Sequence, residues 1–269
     1  GDDALYHRAE RWLLEHSRSG RVTDLHKVVD AHFPDFDHVA MLLWQRHLRS
    51  RFGEFESLFR DAAKRTGIDW RLLAAVAYQE SHWKPRAVSP TGVRGLMMLT
   101  QATAAQMGVT SRIDPAQSID GGSRYLAHLL ARVPKKVELE GRVWFAVASY
   151  NIGRGHVADA MMLTTAHRKN AAYWHNVRRY LPLLEDANYH RLTRHGYARG
   201  REPVRYVGNI RRYFDALRWE RFREKLRRRA ESSPRAIPSF QILEKYPGLP
   251  PALFVDRQSR LRQQTGIAL

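Results

Sequence analysis

The sequence of 269 residues contains no cysteine. This absence excludes disulfide bonds, zinc sites built on thiolates and enzymes that use a cysteine nucleophile. The chain also lacks any run of 18 consecutive apolar residues, so no transmembrane helix is expected. It begins at Gly1 and not with a signal peptide, and a start of this kind leaves the compartment undetermined.

Acidic residues are few relative to basic ones. The chain has 45 Lys and Arg residues against 27 Asp and Glu residues, a formal net charge of +18. Such a charge favours a polyanionic partner, which is either nucleic acid, anionic lipid or the bacterial cell wall. Charge alone does not rank these partners, so the motifs must decide. Hydrophobic residues make up 43% of the chain, which is enough for a folded core.

The chain shows neither a strand-like alternation nor an internal repeat, and its apolar residues recur at helical spacing. This pattern predicts an all-α fold. Three parts are expected: an N-terminal helical segment over 1–53, a main domain over 54–230 and a proline-containing extension over 231–269. Helices are predicted over 5–16, 23–31, 37–49, 55–66, 70–80, 100–108, 115–133, 140–151, 156–166, 171–184 and 203–230. Predicted helix caps are Asp69 and Asp114, the latter followed by Pro115.

Glu80 is the first candidate for chemistry. Leu72, Val76 and Glu80 are four residues apart, so two apolar side chains lead to the carboxyl group on one helix face. Burial and the negative end of the helix dipole both disfavour a carboxylate there. A raised pKa is what a general acid needs near neutral pH. An exposed or Arg-paired helix-end glutamate is the alternative interpretation of this position alone.

Four segments occur in order around and after Glu80: AYQESHW at 77–83, SPTGVRGLMMLT at 89–100, ASYNIG at 148–153 and YVGNI at 206–210. Together they resemble the motifs of the Slt-type (family 23) lytic transglycosylases, and most of all the catalytic module of their F-type, membrane-bound branch. The resemblance covers about residues 54–217. It implies a lysozyme-like fold and cleavage of the β-1,4 bond between N-acetylmuramic acid and N-acetylglucosamine, which leaves 1,6-anhydromuramoyl ends.

The resemblance also implies roles for single residues. Glu80 matches the catalytic group that acts first as acid and then as base, so no second carboxylate is required. Met98 stands where the commoner motif has Gln, which we interpret as a feature of the F-type branch. The spacing of Met97 is also typical of a core residue. The matching substrate-binding positions are Ser89, Met97, Met98, Tyr150, Asn151 and Tyr206.

Neither a metal site nor a cofactor is predicted. His82 follows Glu80 closely but lies about 200° around a helix from it, which favours a structural role. Arg86 and Arg94 face either the carboxylates of peptide stems or solvent. The basic stretch 199–229 holds twelve Arg or Lys and four Asp or Glu residues. It is either a solvated helix face or a surface for anionic wall polymers or membrane. It carries no recognised nucleic-acid motif, so no specific nucleic acid is expected.

Residues 1–53 lie outside the catalytic resemblance. Short stretches within them resemble the closing helices of the solute-binding-like module that precedes the catalytic module in the F-type enzymes. The expected location is the periplasm, at the inner face of the outer membrane in the full-length protein. Three other functions stay open at this point. They are a goose-type lysozyme-like hydrolase, a catalytically silent peptidoglycan-binding protein and a basic nucleic-acid-binding protein.

Overall fold

A computed structural model describes residues 38–232. The predicted helices over 5–16 and 23–31 and almost all of the C-terminal extension lie outside the described residues. The chain divides into two compact units, of which Gln45–Asp215 is one and the flanking parts of the chain form the other. All the site residues considered below belong to the unit Gln45–Asp215. The domain boundaries expected at 53 and 230 remain predictions.

Within 38–232 the regular structure is helical, as predicted, and the loop before residue 100 adds two isolated β-bridges, Val88 with Arg94 and Arg94 with Leu99. Short 3-10 turns cover Phe52–Glu54, Leu139–Gly141 and Leu181–Glu185. The α-helices are α1 His38–Ser50, α2 Glu56–Thr66, α3 Trp70–Ser81, α4 Gln101–Gln106, α5 Pro115–Ala131, α6 Arg142–Ile152, α7 Arg154–Ala166, α8 Trp174–Val177, α9 Ala187–His190 and α10 Arg201–Ser232.

The predicted caps Asp69 and Asp114 are confirmed, and Thr100, predicted as the first residue of its helix, caps α4 in the same way. The Asp69 side chain accepts a hydrogen bond from the backbone N–H of Arg71, and Thr100 accepts one from Thr103. Asp114 accepts from Gln117, with proline at the start of the helix. Each of these side chains satisfies an N–H group that has no partner within its helix, so local sequence fixes where α3, α4 and α5 begin.

The prediction of one helix over 171–184 is wrong. The chain forms only the four residues of α8 and then the 3-10 turn Leu181–Glu185. Pro182 explains the interruption, because proline has no N–H to donate and disfavours helical geometry at the residue before it. The predicted loop over 186–201 also contains the single turn of α9.

Helix α3 runs through the core. Its residues from Leu72 to Tyr78 are buried, most of them completely. Helix α3 packs against α2 and α5, α5 packs against α2 and α6, and α6 packs against α7. The C-terminal turn of α3 therefore carries Glu80 out of a tightly packed interior. Among residues 38–232, no helix has both the length and the apolar character needed to cross a membrane.

Candidate active site

Glu80 lies in the last turn of α3, where the helix leaves the core. Its side chain keeps some exposed surface, whereas the preceding residues 72–78 are buried. Burial raises the pKa of the Glu80 carboxyl to about 7, the hydrogen bond from Tyr206 lowers it and the charge of Glu202 raises it. A carboxyl with this pKa is protonated in a large fraction of molecules at neutral pH, and it can both give and take a proton.

Tyr206 comes from α10, 126 positions later in the chain, and its hydroxyl donates a hydrogen bond to Oε1 of Glu80. The ring is buried, with 6% of its surface exposed. Burial and the charge of Glu80 raise the pKa of Tyr206 well above its ordinary value. The phenol therefore stays protonated and acts as a hydrogen-bond donor to the carboxyl group.

Tyr150 and Asn151 end α6 on the same side of the domain. The Tyr150 hydroxyl donates to the backbone carbonyl of Met97 at 2.8 Å, and its ring meets the edge of Tyr125 at 5.4 Å between centroids. Burial, and then the charge of Glu80, raises the pKa of Tyr150. Tyr150 thus fixes the loop before α4 to α6, and α6 also faces Glu80.

The loop before α4 is anchored to the end of α3 by Ser81. The Ser81 hydroxyl donates to the carbonyls of Ala77 and Leu96, at 3.1 and 2.9 Å. Gly95 adopts a φ of +88°, and a Cβ there would lie 1.7 Å from the Arg112 carbonyl oxygen. Only glycine fits this close approach. These contacts hold the segment 95–98 against Glu80's own helix.

Met97 and Met98 have different surroundings. The Met97 side chain has no exposed surface, and the room for it comes from Gly122, where a Cβ would lie 2.5 Å from the Met97 Cβ. The alternative interpretation of Met97 as a core residue is the one that the structure shows, and its backbone N–H and carbonyl pair with Ser118 and Tyr150. Met98 adopts a left-handed φ of 46° and keeps a partly exposed side chain.

Ser89 lies in a turn of the same loop. Its hydroxyl pairs with the Thr91 hydroxyl at 2.9 Å and accepts from the Val93 N–H at 3.2 Å. These hydrogen bonds stay within the turn, so they do not bring Ser89 to Glu80. His82, which the spacing assigned a structural role, adopts a left-handed φ of 51° and lies beside the rings of His47 and Tyr78.

Sequence patterns missed Glu202, which lies in the first turn of α10. Its Oε1 accepts a hydrogen bond from the Asn151 side-chain amide at 3.3 Å, and its charge acts on Glu80. The available signal was its spacing, since Glu202 and Tyr206 are four residues apart on one helix. Within 38–232, no group of three or more His, Asp or Glu residues is arranged to hold a metal ion.

Comparisons with known proteins show which proteins this chain is similar to. Residues 57–173 match the family model described as "Transglycosylase SLT domain". Three curated relatives carry the name membrane-bound lytic murein transglycosylase F. The protein from Stutzerimonas stutzeri is 47% identical, with 81% of this chain and 45% of that protein aligned. Those from Marinobacter nauticus and Shewanella pealeana are 45% and 49% identical, over 80% and 77% of this chain and 43% of each relative.

The chain therefore spans a little under half the length of these relatives. Two solved structures are also similar. An inactive variant of lytic transglycosylase Slt from Pseudomonas aeruginosa aligns with 60% of this chain and 23% of its own, with 21% identity and a TM-score of 0.45. The 70 kDa soluble lytic transglycosylase from Escherichia coli aligns with 61% of this chain and 24% of its own, with 23% identity and a TM-score of 0.46.

Proposed function

Because the chain carries a Transglycosylase SLT domain at residues 57–173, we propose that it is a peptidoglycan lytic transglycosylase. It cleaves the β-1,4 bond between N-acetylmuramic acid and N-acetylglucosamine and forms 1,6-anhydromuramoyl ends. The observation that carries this proposal is the Glu80 carboxyl, which has a pKa of about 7 and accepts a hydrogen bond from Tyr206.

In the first step Glu80 acts as a general acid. Its proton passes to the glycosidic oxygen as the bond from that oxygen to C1 of the muramic acid breaks. The leaving N-acetylglucosamine departs with a free 4-hydroxyl group. The positive charge that develops at C1 is stabilised by the carbonyl oxygen of the substrate's own N-acetyl group. A pKa near the working pH suits this transfer, because a sufficient fraction of the acid is protonated and the proton is still easily given up.

In the second step the Glu80 carboxylate acts as a base. It takes the proton from the 6-hydroxyl of the same muramic acid, and O6 bonds to C1 to close the anhydro ring. Glu80 ends protonated and no water is consumed. Most glycosidases need two carboxyl groups, one as acid and one as base or nucleophile. Here the substrate supplies both internal nucleophiles, so one carboxyl group is sufficient. Tyr206 stabilises the carboxylate between the two steps through its hydrogen bond.

The substrate-binding residues are proposed from the helix end and the loop next to Glu80 and, for Ser89, from the motif to which it belongs. Tyr150 and Asn151 form one wall, and the partly exposed Met98 offers a polarisable thioether. Faces of sugar rings are apolar, so contacts of this kind are suitable for a glycan strand. Met97 contributes indirectly, because its backbone carbonyl accepts from the Tyr150 hydroxyl and holds that residue in place. Ser89 contributes from the turn that borders this loop.

We propose that the protein acts in the cell envelope, in the periplasm at the inner face of the outer membrane. The printed names of the relatives, which are called membrane-bound, support an envelope location. The basic stretch 199–229 is suited to anionic wall polymers or to a membrane surface because its charge is strongly positive. Glycan strands of peptidoglycan are the proposed substrate.

Digestion of purified peptidoglycan, followed by mass spectrometry of the products, tests this function. The unaltered protein should release anhydromuramoyl products and Glu80→Gln should release none. Glu54→Gln, which changes an exposed glutamate in the turn before α2, is the matched control and should behave as the unaltered protein. Hydrated reducing ends would instead assign the chain to goose-type hydrolases. Absence of products from every variant would favour a binding role.

A further inference from the structure

Glu202 shares one face of α10 with Tyr206. The two residues are four positions apart, which places them one above the other on an α-helix. The Tyr206 hydroxyl reaches Glu80, so this face of α10 is the one turned toward the candidate acid. From α6, the Asn151 amide donates to Oε1 of Glu202 at 3.3 Å. Two hydrogen-bonded pairs, Tyr206 with Glu80 and Glu202 with Asn151, thus share this face of α10.

We infer that Glu202 is a positioning residue of the site: it orients the Asn151 amide and, as an anion facing Glu80, keeps the Glu80 carboxyl protonated until substrate arrives. This inference rests on the proposed function, in which Glu80 must begin the reaction as an acid. The reaction still uses one carboxyl group to move protons. The second carboxyl group prepares the first and touches no reacting atom.

The two carboxyl groups have different surroundings. Glu202 is exposed and lies in the first turn of a long helix. Glu80 has the opposite situation, because it lies in the last turn of α3 and is desolvated. Paired carboxyl groups whose environments differ in this way take the roles of acid and anion.

Glu202 is the group that brings charge to Glu80. The groups that act on Glu80 are Tyr206 and Glu202 from α10, and Glu80 in turn acts on Tyr150 of α6. Burial raises the pKa of both tyrosines, so both are neutral near pH 7. The neighbouring Arg201 directs its guanidinium and its backbone N–H to Glu185, so its charge is engaged away from Glu202.

The test is the pH dependence of anhydromuramoyl product release for the unaltered protein and for Glu202→Gln. The protonated form of Glu80 starts the reaction, so activity falls as pH rises through its pKa. Loss of the Glu202 charge lowers that pKa, and the alkaline limb of the profile should move to lower pH by about half a unit, a loss of roughly threefold in activity on that side. Glutamine can still accept from Asn151, so this variant removes charge and keeps the hydrogen bond.

Glu185→Gln is the matched control, since Glu185 ends the 3-10 turn Leu181–Glu185 and accepts from Arg201 at the start of α10. Its alkaline limb should stay where it is in the unaltered protein. An unmoved limb in Glu202→Gln, with anhydromuramoyl products still formed, would overturn the inference and leave the proposed function intact. If the unaltered protein forms no such products, it is the proposed function that fails.

A second measurement follows Glu80 itself. Titration of its carboxyl carbon by NMR, with the assignment from Glu80→Gln, gives the pH at which Glu80 ionises. We expect Glu80 to ionise at lower pH in Glu202→Gln than in the unaltered protein, and Glu202→Asp, which keeps the charge, to leave the titration of Glu80 in place. An unchanged Glu80 titration in Glu202→Gln, or in Glu202→Ala if Glu202→Gln fails to fold, would overturn the inference.

Discussion

The hydroxyl of Tyr206 donates a hydrogen bond to the Glu80 carboxyl and joins the start of α10 to the end of α3. This contact opposes the effect of burial, because burial raises the pKa of Glu80 and the hydrogen bond lowers it. The same contact orients the carboxyl group, whose helix ends one residue later at Ser81. Tyr206 therefore influences both the position and the proton affinity of the proposed acid.

Replacement of Tyr206 by Phe should move the pH profile in the direction opposite to the Glu202→Gln variant. Loss of the hydrogen bond leaves the carboxylate less stable, so the pKa of Glu80 rises and the alkaline limb moves to higher pH. The maximal rate should fall by about tenfold, because a hydrogen bond to a charged group contributes on the order of 1.5 kcal/mol. Tyr197→Phe is the control, since Tyr197 is 59% exposed. Movement of the alkaline limb of Tyr206→Phe to lower pH would contradict this account.

Glu80 should also lower the stability of the folded protein at neutral and alkaline pH. Its pKa rises from an ordinary value of 4.5 to about 7 in the folded state, so folding favours the protonated form. The cost is absent below the unfolded pKa, grows between the two values and is complete above the folded one. Because part of the side chain stays exposed, we expect the free energy of unfolding to be lower by about 2 kcal/mol at alkaline pH. This is somewhat less than the full pKa shift implies.

Thermal unfolding of Glu80→Gln at several pH values measures this cost. The variant should unfold several degrees higher than the unaltered protein at about pH 8, and the difference should vanish near pH 4. Glu54→Gln should show no such pH-dependent difference. A Glu80→Gln protein that is less stable at alkaline pH would show that the ionised carboxyl is better accommodated than burial suggests.

Local sequence predicted those parts of the site that depend on neighbours along the chain. Asp69 and Asp114 were predicted as caps because a side-chain oxygen next to the first helical turn satisfies its free N–H groups. Glu80 was predicted on the inward-facing side of its helix because two apolar residues precede it at helical spacing. The break at Pro182 was also readable from the sequence, although the helix over 171–184 was predicted across it.

Contacts between distant residues were not accessible in the same way. The motif resemblance drew attention to Tyr206, but nothing in the spacing of Glu202 and Asn151 indicates that two residues 51 positions apart share a hydrogen bond. The left-handed geometry of Met98 was equally hidden, because glycine and asparagine are the usual residues there. The contact between Asn151 of α6 and Glu202 of α10 forms only when the chain is folded.

Gly122→Ala should disturb the loop that carries Met97 and Met98. A Cβ at Gly122 would lie 2.5 Å from the Met97 Cβ, so α5 and the loop must move apart. Overpacking of this kind costs about 1 to 3 kcal/mol, and the melting temperature should fall by several degrees. Gly208→Ala is the matched control, since a Cβ at that helical position meets nothing within 4 Å. Alanine there should leave stability unchanged or raise it by up to about 1 kcal/mol.

Product release should fall in Gly122→Ala as well, because the Met97 carbonyl anchors Tyr150 beside Glu80. Comparison of the two glycine variants at a temperature where both are folded separates this effect from unfolding. Equal melting temperatures and equal rates for the two variants would contradict the close packing of Met97 on α5.

Asp159 of α7 should hold in place the segment 194–200, which leads into α10. Its carboxylate is 4% exposed, and it accepts hydrogen bonds from the backbone N–H groups of Arg194 and His195, at 3.3 and 2.9 Å. The His195 ring lies 3.1 Å from both carboxylate oxygens. Asp159→Ala removes these partners and leaves two backbone N–H groups unsatisfied, so we expect a loss of about 2 to 4 kcal/mol in the free energy of unfolding.

The same substitution should raise KM more than it lowers the maximal rate, because the segment that Asp159 holds leads into the helix carrying Glu202 and Tyr206. Chemical denaturation and kinetics on soluble glycan strands measure the two effects. Asp186→Ala is the control, since Asp186 caps only the single turn of α9 through Asn188 and should cost about 1 kcal/mol. If the Asp159 and Asp186 variants lost stability equally and kept the same KM, the segment 194–200 would not depend on Asp159 to position α10.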